Sequence, residues 1–162
     1  MSAFLAGFAH PMMGADHLVA MVAVGLWAAR LGGAARWALP ASFVGFMLVG
    51  ALLAVPGAAP LPASEQVIVA SVFVLGLAVL TAARLPAWLA AAFVATFALF
   101  HGHAHGVESA GDPVFLAGVL GATALLHSIG LALGLGLRRV SEWLPRSLGG
   151  VAVAVGAWLM FS

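Results

Sequence analysis

Long apolar runs dominate the chain, broken at a few points by proline, glycine and charge. They predict six helices, over 3–30, 38–56, 65–84, 87–106, 113–137 and 145–161. Crossing a bilayer takes about 20 mostly apolar residues, with a range of about 17–25. The middle segments fit this length, and the last is short but adequate. The first and fifth are long enough to tilt, kink or carry a broken turn.

The breaks have their own chemistry. "VPGAAPLPAS" reads as a proline-rich loop with Ser64 as the N-cap of the third helix. "GDPVF" sets Asp112 at an N-cap and Pro113 at the first helical position of the fifth. Arg30 and Arg36 lie between helices one and two, Arg84 between three and four, and Arg138, Arg139 and Arg146 between five and six. All the basic residues therefore fall on one side. The opposite loops carry Glu65, Glu108 and Asp112. The positive-inside rule makes the arginine side cytoplasmic, with both termini on the outer, periplasmic side.

Composition strengthens this picture. Hydrophobic types make up 64% of the 162 residues and charged types 7%, against about a quarter charged in soluble domains. The expected fold class is an all-α integral membrane protein, one transmembrane domain over 1–162 formed by a bundle of six transmembrane helices. A net charge of +1 gives no footprint for nucleic acid, and the absence of cysteine removes disulfides and thiolate metal sites. The N-terminal "MSAFLAGFAH" lacks the basic region of a secretory signal peptide.

Against this apolar background the histidines stand out. All six fall in three of the predicted helices, five of them in two short segments. With about 1.5 Å rise per residue, His105 lies near the outer surface, His101 roughly 7 Å in and His10 roughly 10 Å in. Asp16, His17 and His127 lie roughly 20 Å in on the same count. Two layers result: His10, His101 and His105 outside, and Asp16, His17 and His127 deeper. His10 and His17 share a face, as do His101 and His105, while His103 points nearly the opposite way. Met12, Met13 and Met21 are close enough in sequence to add soft ligands, although core packing is the commoner use of methionine.

Ionisable groups inside a membrane are costly and mark a pathway or a site. Imidazole with carboxylate suits Ni, Zn, Cu or Fe without selecting among them, and a bis-histidine haem is a further use of such residues. Gly102 with Gly106, and Gly130 with Gly134, have the spacing of close helix packing. "FLAG" occurs at 4–7 and 115–118, an offset that aligns Asp16 and His17 with His127 and Ser128. The sequence has no phosphate-binding loop, G-x-S-x-G or H-E-x-x-H, and Ser128 beside His127 is a poor nucleophile–base pair. The chain is therefore not expected to be an enzyme.

"HPMMGADH" (10–17) and "FHGHAHGVE" (100–108) resemble the two signature motifs of the HupE/UreJ family. The first is His, five residues, then Asp-His. The second is Phe-His-Gly, one residue, Ala-His-Gly, one residue, Glu. Both match in full, and the six-span layout fits along the whole chain. Many family members begin with a cleavable signal peptide, a feature not seen from Met1 here. The family is regarded as nickel permeases associated with hydrogenase and urease gene clusters. The resemblance implies functional roles for His10, Asp16, His17, His101, His105 and Glu108, and none for His103, which occupies a variable position. His127 joins them on position alone.

The expectation is then a permease of the cytoplasmic (inner) membrane. It would carry Ni²⁺, with Co²⁺ as a second cargo, through a His/Asp-lined site between helices one, four and five. The expected partners are the lipid bilayer, a divalent metal ion and a second copy in a homo-oligomer, with a functional link to hydrogenase or urease maturation. The alternatives are a metal-sensing or accessory membrane protein and a bis-His haem-binding one.

Overall fold

A computed structural model of the chain describes residues 2–54, 59 and 61–162. Among these the chain is all helical: α1 (Ala3–Met13), α2 (Ala15–Leu31), α3 (Ala35–Leu53), α4 (Ser64–Leu80), α5 (Ala87–Glu108), α6 (Pro113–Arg138) and α7 (Trp143–Phe161). By length and composition α3, α5, α6 and α7 can each cross a membrane. The α1–α2 pair makes a fifth candidate if it counts as one broken span, and α4 is shorter, at 17 residues. Large apolar side chains cover the outside, among them Trp37, Leu52, Trp88, Trp158 and Phe161. That is the surface expected against lipid rather than water. Trp37, Trp88, Trp143 and Trp158 are exposed near helix ends, where an indole meets both acyl chains and headgroups.

The expected first helix over 3–30, long enough to kink or carry a broken turn, is two helices meeting at 83°. The break has a local cause. Pro11 has no N–H for the helix ladder, and Gly14 is extended at φ −94°, ψ 123°, ending α1 and capping α2. Asp16 accepts from the His17 backbone N–H (2.8 Å), satisfying one of the free donors of the new first turn. The depth estimate made for an unbroken helix therefore fails for everything beyond Gly14.

Smaller differences occur elsewhere. α3 begins three residues before the expected 38, carrying Pro40 inside it, and 55–56, its expected end, lie outside the described residues. So does half of the proline-rich loop, 55–58 and 60. Ser64 is not the N-cap of α4: that place is taken by Ala63 in the left-handed region (φ 61°), and Ser64 is the buried first residue of the helix. Asp112 does cap α6, accepting from Val114 N (2.8 Å) and Phe115 N (3.4 Å), with Pro113 at its start.

Glycine sets how closely the helices approach. A Cβ on Gly102 would overlap the Met47 carbonyl, and one on Gly50 would overlap that of Leu99, so α3 and α5 cross almost backbone to backbone. Gly25 and Gly130 do the same for α2 and α6, and Gly76 and Gly149 for α4 and α7. Helices in lipid gain little from hydrophobic exclusion, and small residues at the crossing supply van der Waals contact instead. The two FLAG segments lie against each other: Gly7 faces Phe115, and Gly118 faces Phe4 and Phe8. The repeat is thus a contact between α1 and α6.

The arginines gather at the end of the bundle away from the histidines. Glu142 pairs with Arg30 and with Arg138 Nε (3.1 Å). Arg138 Nη1 also donates to Ala29 O (2.9 Å), and Arg146 Nε to Leu80 O (2.7 Å). These cations satisfy carbonyls at the C-terminal ends of α2 and α4, where the helix dipole is negative. Glu142 is half exposed, so Glu142→Gln is expected to cost less than about 1 kcal/mol. Thermal unfolding in detergent at low and high salt would test this, and a larger, salt-insensitive loss would contradict it.

Candidate metal centre

Three elements bring the histidines together at the end opposite the arginines. The sharp turn at Gly14 folds the end of α1 back over the start of α2, leaving the His10 and His17 ring centroids 6.4 Å apart. The four-residue spacing of His101 and His105 aims both from one face of α5 at His17, with ring centroids 5.0 and 4.7 Å away. His10 lies 5.1 Å from His105. Glu108, one turn beyond His105, joins the two outermost rings: its Oε2 accepts from His105 Nδ1 (3.1 Å) and lies 2.9 Å from His10 Nε2. His10, His105 and Glu108 each offer a ligand atom, all within 4.8 Å of one another. Side-chain exposure falls from 49% at Glu108 and 38% at His10 to 14% at His17 and 1% at His105. His101 is fully buried. The cluster thus runs from the surface inward.

The two-layer arrangement is corrected accordingly. Asp16 and His17 do not lie beside His127; the bend places His17 among His10, His101 and His105. His127 stands apart, separated from His101 by the Phe43 ring, whose centroid is 5.4 Å from His101 and 5.0 Å from His127. His103 is buried outside this group of rings, on a side of α5 whose backbone faces Gly50 of α3. Met12 and Met13 are exposed, whereas Met21 is fully buried.

Hydrogen bonding gives the cluster its chemical character. His17 Nδ1 pairs with Asp16 Oδ1 (2.9 Å), and His105 Nδ1 with Glu108 Oε2 (3.1 Å). His101 Nδ1 meets Phe97 O (3.0 Å), and His127 Nδ1 meets Met21 O (2.7 Å). Carbonyl and carboxylate oxygens only accept, so each Nδ1 carries a proton, and in its neutral form each ring presents a lone pair at Nε2. Those four Nε2 atoms are buried and have no hydrogen-bond partner. Burying a polar atom without a partner costs about 1–3 kcal/mol, and a cation is the partner such lone pairs suit. A metal-binding histidine is usually held in this way, by an acceptor on its other nitrogen.

A cleft of about 360 Å³ leads to the cluster between α2, α4 and α5, and Asp16, His17, Glu65 and Glu108 line it. Sequence reading left Glu65 as a loop acid. Its place after the proline-rich loop, level with Glu108 at the acidic end, was the only hint that it belongs here. Phe43 gave no hint, being one of ten phenylalanines. Gly14 also gains a role, because a Cβ there would come within 2.7 Å of Asp16 Oδ1. Gly14→Ala is therefore expected to displace the carboxylate that orients His17 and weaken metal binding about tenfold. Equilibrium dialysis would measure this; unchanged affinity would contradict it.

Fold and cluster together define a multi-pass helical membrane protein with a file of buried imidazoles entered from an acidic cleft. Comparison with known proteins supplies the family. The family described as HupE / UreJ protein matches residues 1–159, and the chain belongs to it. The chain is similar to Protein HupE of Rhizobium leguminosarum bv. viciae, with 42% identity over 160 residues, 96% of this chain and 83% of the relative. No solved structure matches the chain.

Proposed function

We propose that this protein is a permease that carries Ni²⁺, and Co²⁺ as a second cargo, across the cytoplasmic membrane. In this reading one transmembrane domain holds six spans. The α1–α2 pair is one broken span, α4 is another at the lower end of the spanning range of about 17–25 residues, and both termini face outward. The arginine-rich end is cytoplasmic, so the acidic cleft opens to the outside. The observation that carries the reading is the set of four buried Nε2 lone pairs, each on a ring whose Nδ1 is already held. The choice of nickel rests on the family resemblance, because imidazole and carboxylate accept several late transition metals.

Glu65 and Glu108 draw the cation into the cleft. His10 and His105, with Glu108, replace part of its hydration. His17, oriented by Asp16, and His101 take it inward, and His127 receives it past Phe43. Contact among His10, His105, His17 and His101 lets one ligand engage before the last releases, so no site there has to bind tightly, as conduction requires. The haem alternative is disfavoured by the same spacing, since rings centred 4.7–5.1 Å apart leave no room for a macrocycle between them. Expression in cells that lack nickel uptake should raise their nickel content, measured by mass spectrometry. Content equal to that of empty-vector cells would sink the proposal.

A further inference from the structure

One helical turn from His127 the bundle interior holds two sulfur atoms that the route above does not use. Met21 of α2 and Met47 of α3 are at most 1% exposed, and Thr123 of α6, fully buried, lies between them. Thr123 Oγ1 is 3.4 Å from Met21 Sδ and 3.6 Å from Met47 Sδ. A hydroxyl has one proton, and the Val119 carbonyl, 2.9 Å away, is a far better acceptor than a thioether. One proton cannot serve both sulfurs as well as the carbonyl, so each thioether keeps lone-pair capacity while lying within 3.6 Å of the same hydroxyl oxygen. One turn along α6 from Thr123 is His127, tied through Nδ1 to the Met21 backbone and unpartnered at its buried Nε2. Three helices thus bring two thioethers to one hydroxyl, with an imidazole one helical turn away, in an interior with no carboxylate among its described buried side chains.

We propose that Met21 Sδ, Met47 Sδ and His127 Nε2 form a second, soft subsite for a late transition-metal ion, with Thr123 Oγ1 as an auxiliary oxygen. This deepens the permease reading and rests on it. The ligand class follows from the donors. Thioether sulfur suits soft and borderline cations and gives hard ones such as Mg²⁺ and Mn²⁺ little in exchange for their water. All four donors are neutral, so binding there is weak and release is possible. The outer cluster attracts divalent cations by charge, and the inner subsite sorts them by softness.

The test uses purified full-length protein in sealed liposomes. Leucine at Met21 and Met47 conserves volume, a change that usually costs less than about 1.5 kcal/mol. Met21→Leu/Met47→Leu should lower Ni²⁺ flux at least about tenfold and leave Ni²⁺ binding at the outer cluster, measured by equilibrium dialysis, at the wild-type level. Wild-type flux in the double variant would overturn the subsite, while His17→Ala, measured beside it, reports separately on the permease reading. If wild type itself carried no Ni²⁺, that reading would fall and the subsite with it. A second measurement does not depend on the double variant folding. X-ray absorption of wild type loaded with one Ag⁺ per chain, a soft probe, should show sulfur neighbours that are reduced in each single leucine variant. Nitrogen and oxygen neighbours alone, or sulfur retained in both variants, would overturn the proposal.

Discussion

His17→Ala is expected to lower Ni²⁺ transport by at least about 100-fold, the upper end of the range for disturbing a metal's ligand shell. His17 is the hub of the cluster: its ring is 6.4 Å from His10, 5.0 Å from His101 and 4.7 Å from His105. Removing it separates the outer pair from His101 and leaves Asp16 with no ring to orient. Asp16→Asn tests the same geometry more gently. The amide can still meet Nδ1, but the negative charge beside the ring is lost. About a tenfold loss is expected, smaller than that of His17→Ala. Initial uptake rates in liposomes, normalised to folded protein by size-exclusion chromatography, would measure both. Equal and negligible losses in the two variants would show that metal does not pass through this cluster.

The largest expected effect on stability is at the α3–α5 crossing. Gly102→Val places a branched side chain where the Met47 carbonyl already lies, and the obstacle is backbone, which cannot rotate away. Overpacking typically costs about 1–3 kcal/mol and more where nothing can yield; at this position more than about 3 kcal/mol is expected. Because His101 and His103 flank Gly102 in sequence, separating the helices also moves the imidazole cluster. Two other glycines provide the contrast. Gly45 and Gly136 have nothing within 4 Å of a built Cβ, so alanine there is expected to be neutral or to stabilise by up to about 1 kcal/mol. Thermal unfolding in detergent would compare the three. A Gly102→Val protein that unfolds at the wild-type temperature would contradict the close crossing.

Much of this was legible in sequence because a membrane simplifies the code. Apolar runs of spanning length, charge gathered between them and a capped Asp-Pro start located most helices to within a few residues. The pairing of His101 with His105 followed from four-residue spacing on one regular helix. The bend within 3–30 was legible only as an allowance, because a proline and a glycine three residues apart permit a kink without fixing its size. The size depends on α1 packing through Gly7 against α6, a contact between residues more than a hundred positions apart. The same bend undid the depth assigned to His17 while strengthening its membership of the site. Phe43, Glu65 and the Met21–Thr123–Met47 group are tertiary features. Their residue types are ordinary for such a chain, and only the convergence of helices gives them meaning. The motif resemblance to the HupE/UreJ family, by contrast, needed no three-dimensional information and agrees with the family match over 1–159.

The most direct test is Ni²⁺ flux into sealed liposomes containing only the purified protein, with Co²⁺, Mg²⁺ and Mn²⁺ run in parallel. The account predicts saturable entry of Ni²⁺ and Co²⁺, little entry of Mg²⁺ or Mn²⁺, and loss of entry in His17→Ala. Protein-containing liposomes that take up Ni²⁺ no faster than empty ones, with His17 intact and the protein folded, would contradict it.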